Sequence, residues 1–212
     1  MFSITNIIIG ITAVVSFMAF SNAKLKDNLI FAPTAVTHRN QWYRFFSCAL
    51  IHLDITHLVF NMFALYSFGN LVESTFLSLF GAKGTFLYIL LYVISQFLCL
   101  VPTYNNHKED YYYQSLGASG AVSAVIFAGI VLYPMAGIGM FFIPVSIPGF
   151  IFGFIYLGIT AFLDRRGGGS MNHSAHLFGA IAGIGLLLIF GFTMSQNNLV
   201  TDFIDQIKSF GK

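Results

Sequence analysis

Residues 50–72 read LIHLDITHLVFNMFALYSFGNLV, an apolar segment of the length that an α-helix needs to cross a bilayer. The segment is unusual because it also carries His52, Asp54, His57 and Asn61. Polar and ionisable side chains are costly inside a membrane, so an intramembrane histidine indicates a functional site. The segment therefore predicts a membrane helix that contributes polar groups to a buried site.

The composition of the whole chain also indicates a membrane protein. Of its 212 residues, 57% are hydrophobic and only 8% are charged, whereas soluble domains carry roughly 25% charged residues. The net charge of +2 gives no reason to expect a nucleic-acid partner. Cys48 and Cys99 lie in separate apolar stretches without metal-ligand spacing, which favours two reduced side chains and leaves a disulfide between them open.

Further apolar segments divide the chain into helices. Pro134, Pro144 and Pro148 interrupt the uncharged stretch 116–163, because proline breaks the helical hydrogen-bond ladder. We predict an all-α membrane protein whose residues 1–197 form one bundle of six transmembrane helices, at about residues 4–20, 50–72, 84–101, 118–133, 147–163 and 173–194. Residues 198–212 show helical spacing of apolar residues and predict a short amphipathic tail at the membrane interface.

The predicted topology brings distant polar residues together. The second, fourth and sixth helices run in the same direction, so their N-terminal ends lie at the same membrane face. His57, Asn61, Ser119 and His176 all fall in the first halves of these helices. His57 and Asn61 are four residues apart and share a helix face, whereas His52 lies about 140° round the helix from His57 and need not share the site.

Small residues in the fourth and sixth helices predict close packing of these two helices. Glycines four residues apart let membrane helices approach closely. Such packing would bring Ser119 within reach of His176. The small residues concerned are Gly117, Gly120, Gly179 and Gly183.

These residue types are typical of nucleophilic catalysis. A serine hydroxyl becomes an effective nucleophile when an adjacent base accepts its proton, and histidine suits that role. His57 and Asn61 would supply hydrogen-bond donors to the oxyanion of a tetrahedral intermediate. No carboxylate lies where it would orient His176, so the pattern predicts a serine–histidine dyad.

Three motifs, taken in chain order, resemble those of the rhomboid family. They are Trp42-Tyr43-Arg44 followed by His52-x4-His57-x3-Asn61 with Gly69 and Glu73, then Gly117-Ala118-Ser119-Gly120, and finally Ala175-His176-x2-Gly179-x3-Gly183. The resemblance implies a rhomboid-type intramembrane serine protease without metal or cofactor. Its substrates would be single-pass transmembrane proteins, cut near the membrane surface.

The same resemblance implies a role for each matched residue. Ser119 would be the nucleophile, His176 the general base, and His57 with Asn61 the oxyanion hole. The supporting residues would be His52, Gly117, Gly120, Gly179, Gly183, Arg44 and Glu73. The fifth helix and the loop Arg165–Ser170 would form the gate and cap of the site.

Two departures from the family pattern stand out. The family often has an aromatic residue four positions after the nucleophile, stacked on the base, and here that residue is Ser123. Another residue must then hold His176. The family's Trp-Arg pair appears here with Tyr43 between Trp42 and Arg44.

Two other classes of function are compatible with some of these residues. In a metalloenzyme, His52, His57, His173 and His176 would bind zinc, but the first two are not at i, i+4 and no carboxylate accompanies them at the expected spacing. In a non-enzyme, the chain would be a channel, a transporter, or a proteolytically inactive relative that binds client helices. Only the protease hypothesis predicts that Ser119→Ala abolishes function.

The resemblance also implies a location. We expect a multi-pass protein of the bacterial cytoplasmic membrane, with the site facing outward. The basic residues then count against this orientation, because the positive-inside rule places them in the cytoplasm. Outer loops would hold Lys24, Lys26, Arg39, Arg44, Lys108, Arg165 and Arg166, and inner segments Lys83, Lys208 and Lys212. The outward site is preferred because much of the first loop is expected to be folded protein.

Overall fold

The computed structural model describes residues 3–140, 143–166, 172–195 and 198–210. These residues are mainly α-helical, in agreement with the predicted all-α class. In chain order the helices are α1 (Ile4–Phe20), α2 (Ala23–Leu29), α3 (Pro33–Arg39), α4 (Arg44–Ser47), α5 (Ile55–Phe80), α6 (Gly84–His107), α7 (Ser119–Leu132), α8 (Gly149–Arg166), α9 (His173–Met194) and α10 (Leu199–Lys208).

A short β-hairpin separates α7 from α8 and was not predicted. Strand β1 (Gly137–Met140) pairs antiparallel with β2 (Ile143–Pro148). The second strand contains two of the prolines that were expected only to interrupt a helix. As a result α8 begins at Gly149, immediately after Pro148, rather than at about residue 147.

Helix α5 begins later and ends later than the predicted 50–72. The Asp54 side chain accepts a hydrogen bond from the backbone N–H of His57 at 2.7 Å and caps the helix, so His52 lies before its first turn. At the other end the helix runs on to Phe80 and stops at Gly81, whose φ of 57° favours glycine. Similarly, α6 continues past Pro102 to His107, instead of ending near residue 101.

Helix α7 lies at the centre of the bundle, between α5, α6 and α9. Ten of its 14 residues are buried, and its first half carries mainly small side chains. A Cβ atom at Gly179 or Gly183 of α9 would overlap the carbonyl oxygen of Gly120 or Ala124 in α7. The two helix backbones are therefore in direct contact along this glycine stripe, as the sequence pattern predicted.

Two buried charged residues tie the N-terminal part of the chain to the bundle. The Glu73 carboxylate accepts hydrogen bonds from the backbone N–H groups of Ile4 and Thr5 at 2.8 and 2.9 Å, and therefore anchors the first turn of α1. The Arg44 guanidinium donates to the carbonyl oxygens of Asp27 and Ile30 and thus holds the segment between α1 and α5 together.

Two helical stretches of the described chain are long and apolar enough to cross a membrane. One is Ile55–His107, in which a short 3-10 turn joins α5 to α6, and the other is His173–Met194. Helices α1 and α7 are apolar but shorter. The count of six spans stays a prediction.

The C-terminal tail is helical, and its Leu199 side chain packs against Gly191 at the end of α9. Residues 211–212 of this predicted tail, and residues 167–170 of the predicted cap loop, lie outside the described residues. Cys48 and Cys99 are free, buried thiols, so no disulfide joins them.

Candidate active site

The Ser119 hydroxyl and the His176 imidazole form a hydrogen bond. Ser119 Oγ lies 2.7 Å from His176 Nε2, although the two residues are far apart in the sequence. Ser119 is the first residue of α7, and His176 lies in the first turn of α9. The direct contact between these two helices therefore sets the distance between the two side chains.

Gly117 allows a histidine ring to lie beside the backbone that precedes Ser119. Its φ of 113° is a conformation that residues with a side chain rarely adopt. A Cβ atom at this position would lie 2.8 Å from Cε1 and 3.1 Å from Nε2 of His57. The glycine is thus required both for the backbone conformation and for the position of the His57 ring.

Asn61 lies one turn after His57 on α5. Its side-chain amide donates one hydrogen bond to the carbonyl oxygen of His57 at 3.0 Å. An amide nitrogen has two N–H donors, so one of them stays available to a ligand. A cavity of about 740 Å³ is lined by all four predicted site residues: His57, Asn61, Ser119 and His176.

A second cavity, of about 580 Å³, lies where α10 meets the ends of α5 and α7. No histidine lines it. In addition, no three His, Cys, Asp or Glu side chains among the described residues are grouped closely enough to hold a metal ion. The serine–histidine cavity is therefore the place where reactive groups meet.

His52 contacts the site from outside helix α5, so the helix-phase estimate made from the sequence does not apply to it. The Ser16 hydroxyl donates to the Leu50 carbonyl at 2.9 Å and lies 3.0 Å from His52 Nδ1, so this nitrogen carries the proton. His52 Nε2 then accepts from the backbone N–H of Ala118 at 3.5 Å. His52 is buried, and its ring centroid is 5.0 Å from that of His57. It links α1 to the residue before the serine.

Two cavity residues were not predicted from the sequence. The hydroxyl of Tyr156, in α8, lies 3.2 Å from the hydroxyl of Ser123. Ser123 is the position at which the family often has an aromatic side chain. Asn172 caps α9, since its side-chain oxygen accepts a hydrogen bond from the Ala175 N–H at 3.0 Å. An asparagine directly before an apolar helix is a local signal for such a cap and would have identified Asn172. No local signal pairs Tyr156 with Ser123.

Comparisons with known proteins agree with the motifs. The rhomboid domain family matches residues 39–193. The RHOMBOID-like protein 12, mitochondrial, of Arabidopsis thaliana is 33% identical over 142 residues, which are 62% of this chain but only 41% of that protein. The rhomboid protease GlpG of Haemophilus influenzae is 28% identical over 170 residues, 79% of this chain and 78% of that protein. The family match includes every residue of the candidate site described above except Ser16.

Proposed function

The chain belongs to the rhomboid family, and from this premise we propose that it is an intramembrane serine endopeptidase that cleaves transmembrane-helix substrates near the membrane surface. The observation that carries the proposal is the 2.7 Å hydrogen bond between Ser119 Oγ and His176 Nε2. This distance lies within the hydrogen-bond reach, roughly 2.6–3.2 Å, that proton transfer from a nucleophile to its base needs. The family and the apolar helices make the chain a membrane protein.

The proposed reaction uses the dyad twice. His176 Nε2 accepts the proton of Ser119 as Oγ attacks the scissile carbonyl carbon, and a tetrahedral oxyanion forms. The protonated His176 then donates to the leaving amine as the C–N bond breaks, which leaves an acyl-enzyme. His176 next accepts a proton from the water that attacks the ester, and returns it to Ser119 as the acid product leaves.

The proposed oxyanion site lies beside the first residue of α7. The first N–H groups of an α-helix have no intrahelical acceptor and carry partial positive charge, so the Ser119 N–H would be available to the oxyanion. The His57 ring and the second Asn61 donor line the same cavity. Donors that are already in place when charge develops are worth roughly 3–4 kcal/mol of the barrier each.

Substrate entry is proposed from the side of α8. Among its residues only Gly149, Gly153 and Thr160 are buried, and Phe154, Ile155 and Ile159 are exposed. A helix with so little buried surface is a suitable moving element.

The proposed location is the bacterial cytoplasmic membrane, which α1 and α5–α9 would cross as six spans. The site would then face outward, although the distribution of basic residues counts against this orientation.

An activity-based probe tests the proposal without knowledge of the natural substrate. The protein in detergent micelles is treated with a fluorophosphonate, which forms a covalent bond with an activated serine. We expect labelling at Ser119 that is lost in Ser119→Ala and in His176→Ala. The exposed residues Ser74 and His38 provide matched controls, since Ser74→Ala and His38→Ala should label like the wild type.

A folded wild-type protein that takes up no label would contradict the proposed protease activity. The alternative, an inactive relative that binds client helices, would then be favoured.

A further inference from the structure

The side-chain amide of Asn172 contacts three separate segments of the chain. Its oxygen accepts from the Ala175 N–H at 3.0 Å, within the first turn of α9. Its nitrogen donates to Thr103 Oγ1 at 3.0 Å and to Ser115 Oγ at 3.4 Å. Because a backbone N–H can only donate, the contact with Ala175 fixes which amide atom is the oxygen.

These contacts join the segment of the nucleophile to the segment of the base. Ser115 lies four residues before Ser119, and Asn172 lies four residues before His176. The backbone carbonyl oxygen of Asn172 also accepts a hydrogen bond from the backbone N–H of His176, at 3.4 Å. The side-chain and backbone oxygens of Asn172 therefore close the helical turn that presents the imidazole.

The partners of Asn172 are themselves fixed. Thr103 is 2% exposed and belongs to α6, which packs along α9. Ser115 exchanges two backbone hydrogen bonds with Phe31, at 2.9 and 3.0 Å. An amide that bonds to a buried side chain of α6 and to a residue paired with Phe31 links the start of α9 to both segments.

We propose that Asn172 is a positioning residue that sets the register of His176 relative to Ser119, an inference that rests on the proposed protease function. It acts through the turn of α9 and not on the substrate. It also answers the question raised by Ser123: the base is held from the start of its own helix rather than by an aromatic side chain at position 123.

Two substitutions distinguish the capping of α9 by Asn172 from its hydrogen bonds to Thr103 and Ser115. Asn172→Ala removes both the cap of α9 and the donor to Thr103 and Ser115. Asn172→Ser retains a good cap residue but lacks the amide donor. The matched control is Asn198→Ala, because Asn198 caps α10 in the same way, through the Thr201 N–H, far from the site.

The measurement is the rate of fluorophosphonate labelling of Ser119 in the intact, detergent-solubilised protein, with the folded fraction determined by thermal unfolding of each sample. A displacement of about 1 Å in a catalytic group costs up to roughly a hundredfold in rate. We expect Asn172→Ala and Asn172→Ser to label at least about tenfold more slowly per folded molecule. Asn198→Ala should label at the wild-type rate.

A second readout distinguishes positioning from loss of stability. With a transmembrane reporter, kcat should fall in Asn172→Ser while KM stays unchanged, and the pair Thr103→Val with Ser115→Ala should reproduce the effect. Labelling of Asn172→Ser at the wild-type rate would overturn the inference. If wild type itself takes up no label, the proposed function fails instead.

Discussion

Gly183→Ala tests whether direct contact between helix backbones builds the site. A Cβ atom at Gly183 would overlap the Ala124 carbonyl oxygen and lie 2.5 Å from its Cα atom, and backbone atoms cannot rotate away. At Gly185, no heavy atom outside the adjoining backbone of the same helix lies within 4 Å of the Cβ position. Both substitutions change helix propensity equally, so the difference between them isolates the overlap.

The overlap should cost about 1–3 kcal/mol, the usual penalty for overpacking a core. For a chain of this length, 1 kcal/mol corresponds to about 2–4 °C in Tm. We therefore expect Gly183→Ala to unfold roughly 2–12 °C below Gly185→Ala in the same detergent. The folded fraction should also label more slowly at Ser119, because α7 moves away from α9. Equal Tm values and equal labelling rates for the two variants would refute the reasoning.

Three further outcomes are expected. Glu73→Gln should lower the free energy of unfolding by about 2–3 kcal/mol, because the charged acceptor of the Thr5 N–H is lost. Glu109→Gln, at an exposed position, is the control. An equal loss of stability in both variants would contradict the role of Glu73 as an anchor of α1. Ser123→Ala and Tyr156→Phe should each cost about 1 kcal/mol, because each removes the bond between the two hydroxyl groups. The double variant should cost no more than Tyr156→Phe alone, and additive losses would contradict this. EDTA should leave labelling unchanged, whereas zinc-restorable loss would favour the metalloenzyme.

The central part of the fold was predictable because its physical signal is local. Histidine, serine and asparagine in apolar helices indicated the site, because polar side chains are energetically costly inside a bilayer and usually mark a functional site there. The spacing of Gly179 and Gly183 indicated the helix contact that the structure has. The all-α class follows from the apolar segments and is confirmed. The roles of the site residues stay predictions.

The remaining features depend on contacts between distant residues. His52 was assigned to a helix face, but the cap at Asp54 places it before the helix, where Ser16 and Ala118 determine its position. A sequence pattern cannot show that Asn172 reaches Thr103, because that pairing exists only after α6 and α9 have packed. The β-hairpin after α7 is different, because its paired residues lie close together in the sequence. It was missed because the prolines of β2 were interpreted only as helix breakers.

Cleavage of a transmembrane reporter tests the central claim most directly. Wild type, Ser119→Ala and His176→Ala are compared in the same membranes, at equal levels of folded protein, with a reporter whose single transmembrane helix is destabilised near its end. The serine–histidine mechanism predicts that wild type cuts the reporter and that neither variant does. Equal cleavage by all three proteins, or cleavage retained in Ser119→Ala, would contradict it.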